Sequence, residues 1–293
     1  MRARYPDHTG EVVRDGLSIA YEIYENSGPT IALLPTWSLF NSRHWKAQIA
    51  FLARHYRVVT YDGLGNGKSD RPVDPSAYDS MRLINDAVAV LDATSTERAF
   101  LAGMSAGASL AATLSGLHPS RVLGAVLIGI STSLGDPLPE RNSTPFEARL
   151  DRYEGWDKYN MHYWRSNYRD FTEFFVERIF SEPHSTKQWE DGVGWANETT
   201  GEVLIATQLK VFLGETRERE LLAAIRCPVL VIHGTADRVA HFSGSERLAA
   251  LTGGTLLLIE GGGHCPQSRD PVLVNRAIRD FVELHAPRQE ILV

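Results

Sequence analysis

The sequence predicts an α/β protein with a mostly parallel sheet, and three observations carry that prediction. Continuous apolar runs of strand length recur along the chain, as suits strands buried on both faces. Helical stretches separate those runs. The strand–helix–strand alternation implies right-handed crossovers between parallel neighbours.

The elements follow in order. Val12-Val13 and the alternating stretch Leu17 to Glu25 read as an antiparallel entry hairpin across Asp15-Gly16. Thr30 to Leu34, Arg57 to Tyr61, Arg98 to Ala102 and Val122 to Ile130 are continuous apolar runs and read as buried strands. His44 to His55, Met81 to Ala93 and Ala108 to His118 read as the helices between them. The rhythm then breaks. From about Thr132 to Leu222 no buried strand occurs. That stretch opens with Pro137, Pro139 and Pro145 and becomes rich in aromatic and charged residues, with helical spacing over Phe171 to Phe180. Residues 132–222 are therefore expected to form a helical insertion seated on a core made of residues 1–131 and 223–293. The rhythm resumes with strands at Pro228 to His233 and Gly254 to Glu260, and a final amphipathic helix from about Pro271 to His285.

Composition narrows the function. The chain has 293 residues, 43% of them hydrophobic, enough for a large core. Its net charge is -6 and it carries no basic block, so nucleic acid is not an expected partner. The first residues, Met1 to His8, lack the apolar region of a secretory signal, and no apolar run reaches membrane-spanning length. Cys227 and Cys265 form neither a disulfide framework nor a metal-ligand spacing. The expectation is a cytoplasmic protein with reduced thiols, no membrane partner and a small-molecule substrate. A homodimer is compatible with this reading.

The chemistry starts at Gly103-Met104-Ser105-Ala106-Gly107, between a strand and a helix. A serine there sits on a sharp turn with its hydroxyl held clear of the backbone, and the flanking glycines let strand and helix approach. A serine hydroxyl needs a base, and the base needs an orienting carboxylate. Asp237, in His233-Gly234-Thr235-Ala236-Asp237, lies just past one strand. His264, in Gly261-Gly262-Gly263-His264, lies just past the next. The chain order is Ser, Asp, His.

With these motifs and Asp62-Gly63-Leu64-Gly65-Asn66-Gly67-Lys68-Ser69-Asp70, the chain resembles α/β-hydrolase fold proteins over residues 11–131 and 223–286. The resemblance implies an eight-stranded, mostly parallel sheet flanked by helices, with an inserted helical cap. It implies a catalytic triad of Ser105, Asp237 and His264, with no metal and no organic cofactor. Asp136, in a Gly-Asp-Pro turn, is the rival acid, because some family members place theirs after the earlier strand. His233 and His241 are rivals to His264, and His233 reads as packed beside Gly234. One oxyanion donor is expected from the Ala106 N–H. The second departs from the family pattern: where His-Gly is usual, this chain has Pro35-Thr36-Trp37. Trp37 is the expected donor, and Thr36 is the alternative under a one-residue offset. Trp37, Met104 and Trp164 are expected to contact substrate.

The expected function is hydrolysis of an ester, lactone or thioester of a moderately apolar small molecule through an acyl-enzyme. The alternatives are carbon–carbon bond hydrolysis by the same triad, or a non-hydrolytic lyase, cyclase or ligand-binding role. The altered Pro35-Thr36-Trp37 loop keeps the non-hydrolytic ones open.

Overall fold

The computed structural model describes residues 4–141 and 144–287. The chain ends included in the expected core, 1–3 and 288–293, and residues 142–143 of the expected insertion lie outside the described residues.

Eight strands form one sheet: β1 (His8–Arg14), β2 (Leu17–Tyr24), β3 (Thr30–Leu33), β4 (Arg57–Tyr61), β5 (Ala99–Met104), β6 (Val122–Ile128), β7 (Val229–Gly234) and β8 (Thr255–Ile259). Their order is β1-β2-β4-β3-β5-β6-β7-β8. β1 pairs with β2, and β2 with β4, antiparallel; every other pairing is parallel. The central strands β5 and β7 are buried at every position, which is why their sequences are apolar without alternation.

The helices are α1 (Lys46–Leu52), α2 (Ser80–Ala93), α3 (Ala106–Leu117), α4 (Met161–Ile179), α5 (Thr186–Ala196), α6 (Gly201–Leu209), α7 (Glu215–Ala223), α8 (Ser243–Thr252), α9 (Pro266–Arg269) and α10 (Pro271–His285). They cover both faces. Trp45, Leu52, Ile278 and Val282, from the α1 and α10 side, pack with Leu33, Phe100 and Val126. Ile84, Leu91, Ala111, Leu114 and Leu248, from α2, α3 and α8, pack with Leu101, Ala125 and Val231.

Several boundaries differ from the expected ones, and three of the differences bear on the packing. β6 stops at Ile128, because the chain turns at Gly129 with a φ of +53°. The first crossover begins as a 3₁₀ turn, Ser42–Trp45, before α1. α7, assigned to the insertion by a boundary at 222, packs on α3 and α8 through buried Leu221 and Leu222. Before it, α5 and α6 both pack on α4, and Trp164, Phe171 and Phe175 of α4 with Trp195 of α5 join the apolar cluster holding Leu39 and Phe40.

Candidate active site

Parallel strands deliver their following loops to one edge of the sheet. Ser105 follows β5, Asp237 follows β7 and His264 follows β8. Ser105 has φ 55° and ψ −120°, a conformation that costs a non-glycine residue roughly 1–3 kcal/mol. The turn is locked from both sides. The Ser105 N–H donates to the Ile128 carbonyl at 2.8 Å, and the Ser105 carbonyl accepts from the Ala108 N–H at 2.9 Å. A Cβ on Gly103 would run into the Gly107 carbonyl, and one on Gly107 into the Pro35 carbonyl. Both glycines are needed for close approach.

The three side chains form one hydrogen-bonded line. His264 Nε2 lies 2.9 Å from Ser105 Oγ, and His264 Nδ1 lies 2.7 Å from Asp237 Oδ2. Because the carboxylate can only accept, Nδ1 carries the proton and Nε2 faces the hydroxyl with its lone pair. Asp237 Oδ1 accepts from the Val239 and Ala240 N–H groups at 2.7 and 3.0 Å. Burial works to raise the Asp237 pKa. The neighbouring charge of His264 and the hydrogen bonds from His233 and His264 outweigh it, and hold the carboxyl well below its usual 3.8.

His233 is fully buried, and its ring is also bound to Asp237. Its Nε2 lies 2.9 Å from Asp237 Oδ2 and 3.2 Å from the Ala240 carbonyl. Both partners are acceptors, so Nε2 is protonated. Nδ1, 2.6 Å from Ser245 Oγ, accepts the hydroxyl proton in the neutral ring. Two imidazoles thus share one carboxylate oxygen. His241 instead meets Ser243 Oγ at 2.8 Å and stacks on Phe242. Asp136 is held in a bidentate ion pair with Arg247, both oxygens at 2.8 Å, and has no contact with His264. Cys265 is buried, and burial pushes its thiol up to about 12, so it is a poor nucleophile beside Ser105.

Among the described residues, the backbone N–H groups of Thr36, Trp37 and Ala106 have no acceptor. The Trp37 indole reaches across the site and donates to Thr207 Oγ1 on α6 at 2.7 Å. A cavity of about 440 Å³ opens over Ser105, within the range of small-molecule sites. Its aromatic wall includes Trp37, Tyr159 and Phe175. Met104 and Trp164, expected to contact substrate, are not part of that wall. Met104 points into the core from β5, and Trp164 is fully buried one layer behind, with its ring centroid 4.4 Å from that of Phe171 and its indole donating to the Lys158 carbonyl. Tyr159, Phe175, Thr207, Arg141 and Lys210 line the cavity and were not singled out in the sequence. The only sequence signal was the density of aromatics in the insertion, which does not tell an inward ring from a buried one. Among the described residues no three His, Cys, Asp or Glu side chains group as metal ligands, and no helix is long and apolar enough to cross a membrane.

Comparison with known proteins agrees with this architecture. A family model described as alpha/beta hydrolase fold matches residues 29–271. A RutD protein of Variovorax paradoxus, named as a candidate carbamate hydrolase, is 25% identical over 272 residues, covering 91% of this chain and 96% of its own. A 2-hydroxymuconate semialdehyde hydrolase of Pseudomonas sp. strain CF600 is 34% identical over 125 residues, 43% of this chain and 41% of its own. The crystal structure of the esterase RhEst1 from Rhodococcus sp. ECU1013 superposes with a TM-score of 0.77 at 28% identity, covering 94% of this chain and 98% of that one.

Proposed function

Since the chain belongs to the α/β-hydrolase fold family, we propose that it is a serine hydrolase cleaving an ester, lactone or thioester of a moderately apolar small molecule through an acyl-enzyme. One observation carries the reading: the line Ser105 Oγ, His264 Nε2, His264 Nδ1, Asp237 Oδ2, with gaps of 2.9 and 2.7 Å.

His264 Nε2 takes the hydroxyl proton as Ser105 Oγ attacks the acyl carbon. Asp237 keeps the ring in the Nδ1–H tautomer and stabilises the imidazolium. The carbonyl oxygen gains charge and is met by the Ala106 N–H and by the N–H of Trp37 or Thr36, all lacking acceptors among the described residues. The tetrahedral adduct collapses, and the leaving oxygen or sulfur departs with the proton from His264. A water then gives a proton to His264 Nε2 and attacks the acyl carbon, and Ser105 leaves with that proton. The products are a carboxylic acid and an alcohol or thiol. The esterase relative, whose chain is covered almost entirely, supports the substrate class.

The test is steady-state hydrolysis of p-nitrophenyl esters of increasing acyl length. Turnover by the wild type that is lost in Ser105→Ala supports the reading. Turnover that survives Ser105→Ala refutes it, and no turnover, with small molecules still bound, favours a binding role.

A further inference from the structure

The chain has five lysines. Four of them are paired with carboxylates: Lys46 with Asp191, Lys68 with Glu22, Lys158 with Asp170 and Lys187 with Asp191. The fifth, Lys210, lines the cavity that opens on Ser105. Among the described residues it has no carboxylate within ion-pair distance, and no carbonyl or hydroxyl accepts from its Nζ. Its nearest described partner is a ring, with Nζ 4.8 Å from the centroid of Phe212.

Its position is held, not loose. The backbone just after Lys210 is stitched to the start of α2 by three hydrogen bonds. The Val211 N–H donates to Asp79 Oδ1 at 2.8 Å, the Ser80 N–H to the Val211 carbonyl at 3.0 Å, and the Leu213 N–H to Ser80 Oγ at 3.2 Å. Asp79 Oδ1 thus holds the backbone, while Asp79 makes no ion pair with Lys210 among the described residues. Burial lowers the Lys210 pKa to about 8, only partly countered by Asp79. An ammonium kept in this setting, with no acceptor bound to its Nζ among the described residues, leaves its donors open to an anion.

The other charges on the cavity wall leave the same gap. Asp86 is paired with Arg14 and Arg82. Glu218 accepts from the Ser133 N–H at 3.2 Å. Arg141 is a second cation without an acid partner among the described residues. Its guanidinium lies 5.2 and 5.4 Å from the ring centroids of Trp156 and Tyr159, and Nη1 donates to the Val239 carbonyl. Asp86 is thus paired with two arginines, Glu218 keeps its charge while accepting one backbone N–H, and neither cation of the wall has a carboxylate partner among the described residues.

We propose that the substrate carries a carboxylate separate from its scissile acyl group, and that Lys210 binds this carboxylate, with Arg141 adding positive potential to the same wall. The substrate class is then an acid-bearing ester, lactone or thioester. This rests on the reading of Ser105 as nucleophile, and the test separates the two.

The matched pair is p-nitrophenyl hydrogen glutarate and p-nitrophenyl pentanoate, which share a five-carbon acyl chain and differ in a terminal carboxylate or methyl. The readout is the ratio of kcat/KM for the acid over the neutral ester. The ratio is expected to be about tenfold or more in the wild type, to fall at least tenfold in Lys210→Met, and to stay within about threefold of wild type in Lys210→Arg. A ratio unchanged in Lys210→Met, or below one in the wild type, overturns the proposal. Binding of monomethyl glutarate by calorimetry to Ser105→Ala, with and without Lys210→Met, does not depend on turnover. Loss of binding with Lys210→Met supports the carboxylate site even where no ester is cleaved. Equal binding by both proteins, or binding by neither, overturns it.

Discussion

Asp237 receives four hydrogen bonds, and two of them land on one oxygen from opposite imidazoles. The arrangement makes the roles of His233 and His264 separable. Asp237→Asn keeps the shape but no longer enforces the Nδ1–H tautomer, so kcat is expected to fall on the order of 10,000-fold while the melting temperature changes little by comparison. Removing His233 acts through the carboxylate. In His233→Ala, Oδ2 loses one of its two imidazole donors, so kcat is expected to fall with little change in KM, and His233→Gln, which returns an N–H near the same place, to recover part of it. An unchanged kcat in His233→Ala would mean that His233 only packs. Asp237 also links the site to stability. Its folded pKa is depressed, so its contribution is complete above the unfolded value near 3.8 and is lost as pH falls below it. Urea midpoints measured from pH 6 to 3 should drop more steeply for the wild type than for Asp237→Asn.

Short connecting elements set the site by tethering distant parts of the chain. The loop after α4 sends Glu182 to the Gly263 N–H at 2.7 Å, one residue before His264. Arg269 closes the same seam by donating to the Pro183 carbonyl at 3.0 Å. The segment after α4 thereby steadies the histidine loop. Glu182→Ala is expected to lower kcat about tenfold with a small change in KM, and Glu182→Gln to retain most of it, as the amide oxygen can still accept. A KM effect alone would place Glu182 in substrate binding instead. The 3₁₀ turn Ser42–Trp45 buries His44 with both ring nitrogens lacking partners among the described residues. Burial lowers its pKa from 6.5 to about 3. Between those values the unfolded chain binds a proton that the folded chain refuses, so stability falls as pH drops from 6.5 toward 3, by up to about 1.4 kcal/mol per unit. His44→Phe should flatten that part of the denaturation profile, measured by urea midpoint against pH.

At the scale of the molecule, the sheet brings loops that are 159 residues apart in sequence, at Ser105 and His264, to hydrogen-bonding distance. Much of this was legible in the chain. The unalternating runs of β5 and β7 marked strands buried on both faces, and the turn motifs after them marked where side chains leave the sheet edge. Helices α4 to α6 fall in the stretch where the strand rhythm breaks, but which of their rings face the cavity was not legible. Trp164 and Phe175 share a helix and a composition, and only packing decides that one faces the cavity and the other does not. Lys210 was silent for a related reason: a lysine just past a helix reads as a surface charge until its missing partner is seen. The placement of α7 on the core depended on its burying Leu221 and Leu222, which a charged sequence concealed. The size of the cavity, about 440 Å³, sets a further expectation for the ester series: kcat/KM rises through short acyl chains and declines once the chain outgrows that space. The most direct test of the central claim is intact-mass and peptide mapping after treatment with a fluorophosphonate. The account predicts one adduct, on Ser105, absent in Ser105→Ala and formed far more slowly in His264→Ala. An adduct on another residue, or labelling of Ser105 at an undiminished rate without His264, would contradict it.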